Sequence, residues 1–187
     1  MPAVLVKDDL QILKLRSEMT TEKRAREIVP DMISIAQTNN GIGLSAIQIG
    51  YPLRVCIVRG ARNWFILLNP EIEAIEGTGH LHISERCLSL TDVSVLTDRM
   101  EEILIRDEIT FLNPTRVSGI TSVIIQHEVD HLNGILITDR EWKRPEPIGR
   151  NERIIIEKNG ERRLCKFKEL NKFKVDGWEF LKLENAS

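Results

Sequence analysis

Ile120-Thr121-Ser122-Val123-Ile124-Ile125-Gln126-His127-Glu128-Val129-Asp130-His131-Leu132-Asn133-Gly134 places Ile120, Val123, Ile124, His127 and His131 in steps of three or four. That spacing predicts a helix after Ser118, and Gly134 supplies the stop. Two imidazoles four residues apart on a helix project from one face and can hold one metal ion together. Because the histidines share the apolar stripe, the metal is expected in a sheltered pocket. The reading at this point is metal-assisted hydrolysis.

A catalytic centre built on two His needs a third protein ligand and an open position for water. The candidates are Cys56, Cys87, Cys165 or a distant carboxylate. Cys56 in Arg54-Val55-Cys56-Ile57-Val58 and Cys165 in Leu164-Cys165-Lys166-Phe167 read as inert strand cysteines. Cys87 differs, since Ser84-Glu85-Arg86-Cys87-Leu88-Ser89 is polar and ends a strand, leaving room for an exposed thiolate. Upstream, Gly41-Ile42-Gly43-Leu44-Ser45-Ala46-Ile47-Gln48 offers two glycines that let a peptide approach the main chain, and an amide, Gln48, able to donate to a developing oxyanion. His80 and His82, flanking the Cys segment, alternate onto one strand face and read as solvated strand residues or rim contacts and not as ligands.

Outward from these segments, 21–38 repeats apolar side chains at Ala25, Ile28, Val29, Met32, Ile35 and Ala36, which predicts an amphipathic helix stopped by Asn39-Asn40-Gly41. Pro30 lacks the amide donor of an interior position, so a kink or a restart is expected there. Between Arg54 and Ile109 the chain turns to short aliphatic runs at 54–58, 65–68, 71–75, 81–84, 93–96 and 103–105, read as antiparallel strands. Beyond Trp142, a Pro-rich charged link leads to 153–157, an Asn159-Gly160 turn, 164–168 and 173–183, read as hairpins.

A chain of 187 residues suits one core without disulfide staples, and its net charge of -2 gives no general attraction to nucleic acid or acidic membranes. Residues 151–187 carry nine basic and seven acidic side chains against 17 and 21 in 1–150, read as solvated strand faces. Three cysteines without disulfide spacing, no leader-like N terminus and no apolar run near ~20 residues predict a soluble cytoplasmic protein.

In order, the Gly-rich run, the Glu85–Ser89 segment and the Gln126–His131 segment resemble the three signature stretches of the peptide deformylase family: Gly-x-Gly-Leu-Ala-Ala-x-Gln, Glu-Gly-Cys-Leu-Ser and Gln-His-Glu-x-Asp-His. The resemblance covers roughly residues 3 to 140. It implies an α+β fold in which antiparallel β-sheets pack around a central metal-binding helix. A catalytic domain would span 1–142, followed by a linker and C-terminal β-hairpin extension over 143–187, packed on the same domain.

The resemblance makes Cys87, His127 and His131 the ligands of one divalent ion, Fe(II) natively, with Ni(II), Co(II) or Zn(II) accepted. Glu128 becomes the general base and then the acid, Gln48 and the Leu88 amide the oxyanion hole, and Gly43 a contact to the substrate backbone. The substrate would be the N-formyl-methionyl end of a nascent peptide, met near the ribosome, and the products formate and a free amine. Ile42, Val123 and Ile124 are expected to line the slot for the methionine side chain.

Three positions depart from the family pattern. Ser45 replaces the first Ala of the Gly-rich stretch, Arg86 stands where Gly is usual, and Thr91-Asp92-Val93-Ser94 follows where Pro and Arg are common. If the position of Arg86 needs a positive φ, it costs about 1 kcal/mol or more. Arg99 is expected to pair with Asp130, an exposed surface pair being the alternative. Two other functions fit parts of the pattern: a zinc endopeptidase with a distant third ligand, and a metal-bearing homologue with altered substrate or no catalysis that serves as an interaction module.

Overall fold

The computed structural model describes residues 3–143 and 148–183, which divide into two compact units between Lys143 and Arg144. The first unit contains helices α1 (Leu10–Leu13), α2 (Glu22–Thr38) and α3 (Gly119–Leu132) and strands β1 (Gly43–Ser45), β2 (Val55–Arg59), β3 (Trp64–Leu68), β4 (Glu71–Ala74), β5 (His80–Arg86), β6 (Ser94–Met100), β7 (Glu102–Arg106) and β8 (Thr115–Ser118). The strands form an antiparallel β1-β2-β3 sheet, an antiparallel β4-β7-β8 sheet and a β5-β6 ribbon. The architecture is α+β, as the sequence predicts.

β2 explains how the layers stack. Its side chains alternate, with Val55 and Ile57 joining the cluster under α2 and Cys56 and Val58 joining the cluster under α3. A strand covered on both faces reads as an unbroken apolar run, because neither side needs to meet water. α2 buries Ala25, Ile28, Val29, Met32 and Ala36 on one stripe. The helix continues through Pro30 for 17 residues, so the expected restart does not occur; packing of the apolar stripe offsets the missing donor. Its end is a Schellman turn: Asn40 takes φ 54°, and Gly41 N–H donates to Ala36 O at 2.7 Å.

The metal helix differs from its expected amphipathic form. Ile120 is exposed, while Gln126, Glu128, Asp130 and His131 are buried along with Val123, Ile125, Val129 and Leu132. α3 is therefore enclosed nearly all round, with its polar side chains paired inside. Gln126, for example, both donates to Met100 O at 2.8 Å and accepts from Met100 N–H at 3.1 Å. Gly134 ends α3 at φ 72° with Ile135 N–H donating to Asp130 O, and a Cβ there would lie 2.4 Å from Lys14 O. Only glycine satisfies both demands.

The second unit is more than hairpins. β9 (Arg153–Lys158) pairs with β10 (Glu161–Lys166) on one side and with β11 (Glu179–Leu183) on the other, and α4 (Leu170–Lys174) lies between β10 and β11 in the chain. The β9–β10 turn uses Asn159 and Gly160 at φ 51° and 83°, as expected. The expected run 173–183 is corrected, because Phe173 belongs to α4 and the strand begins at Glu179. Ile154, Ile156, Cys165, Leu170 and Trp178 form the unit's own small core, and Phe173 meets Trp178 edge-on.

Candidate active site

The end of β5 and the buried face of α3 bring three donors together. One ligand atom each of Cys87, His127 and His131 lies within 4.8 Å of the others, and Cys87 Sγ is 3.2 Å from His131 Nε2. Cys56 and Cys165, read as inert strand cysteines, are buried in β2 and β10. Cys87 is itself buried at 7 % exposure, where the sequence suggested an exposed thiolate. The turn after β5, closed by Leu90 N–H donating to Cys87 O, folds the sulfur inward.

The surroundings of these donors suit a cation. Glu85 Oε2 takes His127 Nδ1 at 2.6 Å, which leaves Nε2 as the ring nitrogen able to ligate. Burial disfavours a charged His127, yet the adjoining Cys87 and Glu85 outweigh it and raise the pKa to about 10; a metal ion would use the same negative surroundings. Burial, with the neighbouring His127 and Arg99, pulls His131 down to about 3, so its ring is neutral, and its Nδ1 is buried with no hydrogen-bond partner. A Cys, His, His set with one carboxylate behind it is the chemistry of a transition-metal site with open positions.

Sequence reasoning assigned Glu85 no role. The available signal was its place two residues before Cys87, since alternate strand positions share a face. Glu85 is held in turn by Arg99, whose Nε donates at 2.6 Å, and by the hydroxyl of Thr97. Burial pushes the Glu85 carboxyl up, but the bonds from His127, Arg99 and Thr97 prevail and lower it to about 2. Arg99 also reaches Asp130 Oδ2 at 2.5 Å. The pair is buried, with Arg99 only 3 % exposed, and so is not the exposed alternative. One guanidinium thus ties the β5-β6 ribbon to α3 directly behind the ligands.

Glu128, 4 % exposed, faces the Gly-rich segment. Its pKa is raised chiefly by burial, with His127 and Ser45 opposing. A Cβ on Gly43 would lie 2.4 Å from Glu128 Oε1, so the missing side chain is what lets the carboxylate lie against β1. Gln48 sits on a single 3-10 turn, Ala46–Ile49. Its Oε1 accepts from Ser45 N–H at 2.8 Å, and its Nε2 lies 3.5 Å from Cys87 Sγ and donates to Ser89 Oγ at 3.1 Å.

A cavity of about 680 Å³ opens over these groups, lined by Gln48, Cys87, Leu88, His127 and Glu128, by Gly41 and Gly43, and by Ile42, Val123 and Ile124. Ile83, Leu90 and Ile120, absent from the sequence-based slot, also line it. Arg86 is on the cavity wall, and its φ is not positive, so the anticipated backbone cost does not arise. His80 is bonded to Asp98 and His82 stacks on Trp142 at 3.9 Å, both outside the cavity.

The family model for polypeptide deformylase matches residues 2–146. Among curated relatives, peptide deformylase of Dictyoglomus thermophilum is 36% identical over 137 residues, covering 72% of this chain and 88% of that protein. Among solved structures, a peptide deformylase from Synechococcus elongatus in complex with actinonin superposes with TM-score 0.68 at 27% identity, covering 76% of this chain and 80% of that one. The Thermotoga maritima peptide deformylase gives TM-score 0.68 at 26% identity, with 76% and 99% covered.

Proposed function

The chain belongs to the polypeptide deformylase family, and on that premise we propose that Glu128, Gln48 and the Leu88 amide carry out the hydrolysis that removes the formyl group from the N-terminal methionine of newly made polypeptides. The observation that carries the assignment is the convergence of the Cys87, His127 and His131 ligand atoms within 4.8 Å, in the cavity that Glu128 lines. One divalent ion held by those three residues would supply a water whose pKa falls from about 15.7 toward ~7. We take Fe(II) as the native ion; a thiolate with two imidazoles also accepts Ni(II), Co(II) and Zn(II).

Glu128 takes the proton of the attacking water and later delivers it to the amine nitrogen as the formyl C–N bond breaks. Its raised pKa suits a group that must accept and then release a proton near neutrality. Gln48 Nε2 and the Leu88 N–H are the donors we assign to the formyl oxygen, beside the sulfur ligand, where negative charge develops. Gly43 leaves the strand backbone open to the peptide, and Ile42, Val123 and Ile124 form the apolar wall for the methionine side chain. Water adds across one amide bond, giving formate and a free N-terminal amine.

The substrate is exposed while the chain is being made, so we expect the encounter near the ribosome. Three free cysteines support a reducing, cytoplasmic setting, and no helix among the described residues is long and apolar enough to cross a membrane. The endopeptidase reading loses its distant third ligand, since the Cys87 sulfur stands with both histidines. The interaction-module reading is not favoured, because the base and the cavity are both in place.

Formate release from a short formyl-Met peptide tests the proposal, using protein loaded anaerobically with Fe(II) or Ni(II). Glu128→Ala is expected to lower turnover at least about a hundredfold, the scale of a lost general base, with metal content unchanged. A folded, metal-loaded wild type that releases no formate would refute the assignment.

A further inference from the structure

We propose that Ser45 is a positioning residue for Glu128: its hydroxyl holds one carboxylate oxygen so that the other faces the cavity. This rests on the function proposed above. Ser45 is the last residue of β1, fully buried, and 83 positions from Glu128 in sequence. Its Oγ lies 2.7 Å from Glu128 Oε2 and 2.8 Å from Glu128 O. Glu128 Oε1 points instead at Gly43, where a Cβ would come within 2.4 Å. The two oxygens therefore have different neighbours, one tied to a hydroxyl and one turned to the strand that lines the cavity.

A long, unbranched carboxylate left untied samples several rotamers, and only some present an oxygen to the reacting water. One hydrogen bond to a charged acceptor is enough to select among them. The hydroxyl also has a second acceptor, the Glu128 carbonyl, within reach on the same residue. When Glu128 holds the transferred proton on its cavity-facing Oε1, Oε2 stays an acceptor and the hydroxyl keeps donating to it. The bond thus persists through both halves of the proton transfer. The Ser45 N–H meanwhile fixes Gln48 through its Oε1 at 2.8 Å, so one residue aligns both groups that flank the donors. Alanine keeps that backbone bond and removes only the bond to Glu128.

The test measures kcat and KM for formate release by metal-loaded wild type, Ser45→Ala, Glu128→Asp and the double variant. Ser45→Ala is expected to lower kcat about tenfold, the scale of one hydrogen bond to a charged group, with KM and metal content unchanged. In the Glu128→Asp protein, whose carboxylate is one methylene short of the hydroxyl, adding Ser45→Ala is expected to change kcat less than about twofold. A kcat for Ser45→Ala within twofold of wild type overturns the proposal. So does an equal loss in both backgrounds, which would mean the hydroxyl acts through packing alone. A wild type without formate release overturns the underlying function instead.

Discussion

Glu85 shows how a residue outside the ligand set shapes the site. It fixes the ring of His127 through Nδ1 and is fixed in turn by Arg99 and Thr97. Carboxylates in this position raise the basicity of a ligating imidazole and hold its orientation. Glu85→Gln is expected to weaken metal binding about 10- to 100-fold, read by competition with a coloured chelator; unchanged affinity would deny the carboxylate this role. Arg86 makes the opposite point. It closes β5 opposite Ser94 with an ordinary negative φ, so restoring the family's usual glycine relieves no strain. Arg86→Gly is expected to destabilise by about 0.5–1 kcal/mol through backbone entropy, measured by urea unfolding. A gain in stability would reveal strain that the backbone does not display.

At the scale of elements, α3 is held from behind as firmly as it presents its ligands in front. Arg99 from β6 joins Glu85 of β5 to Asp130 of α3, and Arg140 adds two bonds to Asp130, at 2.7 and 3.0 Å. Removing the central cation leaves buried Glu85 to His127 and Thr97 alone and Asp130 to the half-exposed Arg140. Arg99→Leu is expected to cost about 3–5 kcal/mol and to lower the melting temperature on the order of 10 °C. A shift of only a degree or two would mean that water reaches the pair readily. The sequence signalled α3 through its 3–4 spacing and its Gly134 stop, and suggested the Arg99–Asp130 pair. It did not signal that Glu128 and Asp130 are buried, because burial of a charged residue depends on partners 83 and 31 positions away. The brief β1 and the turn that orients Gln48 were likewise read only as a Gly-rich run, since three residues are too few to display a period.

For the whole molecule, the division between Lys143 and Arg144 separates the unit holding every proposed catalytic group from one with its own core around Ile154, Ile156 and Trp178. We propose that the first unit suffices for the chemistry. A chain ended after Lys143 is expected to retain its metal and at least about half of its formate release from a short peptide; loss of the metal would make residues 144–187 part of the catalytic fold. By itself the sequence indicated the metal-bearing helix and the class of fold, because periodicity and turn residues are local properties, and its resemblance to the deformylase family nominated the side chains proposed to react. Only the tertiary structure decided that Cys87 is drawn inward, that Glu85 and Arg99 stand behind the ligands, and that Ser45 meets Glu128. Those relations arise where β1, β5, β6 and α3 converge, and hydrogen bonds between distant segments depend on packing that no local pattern encodes.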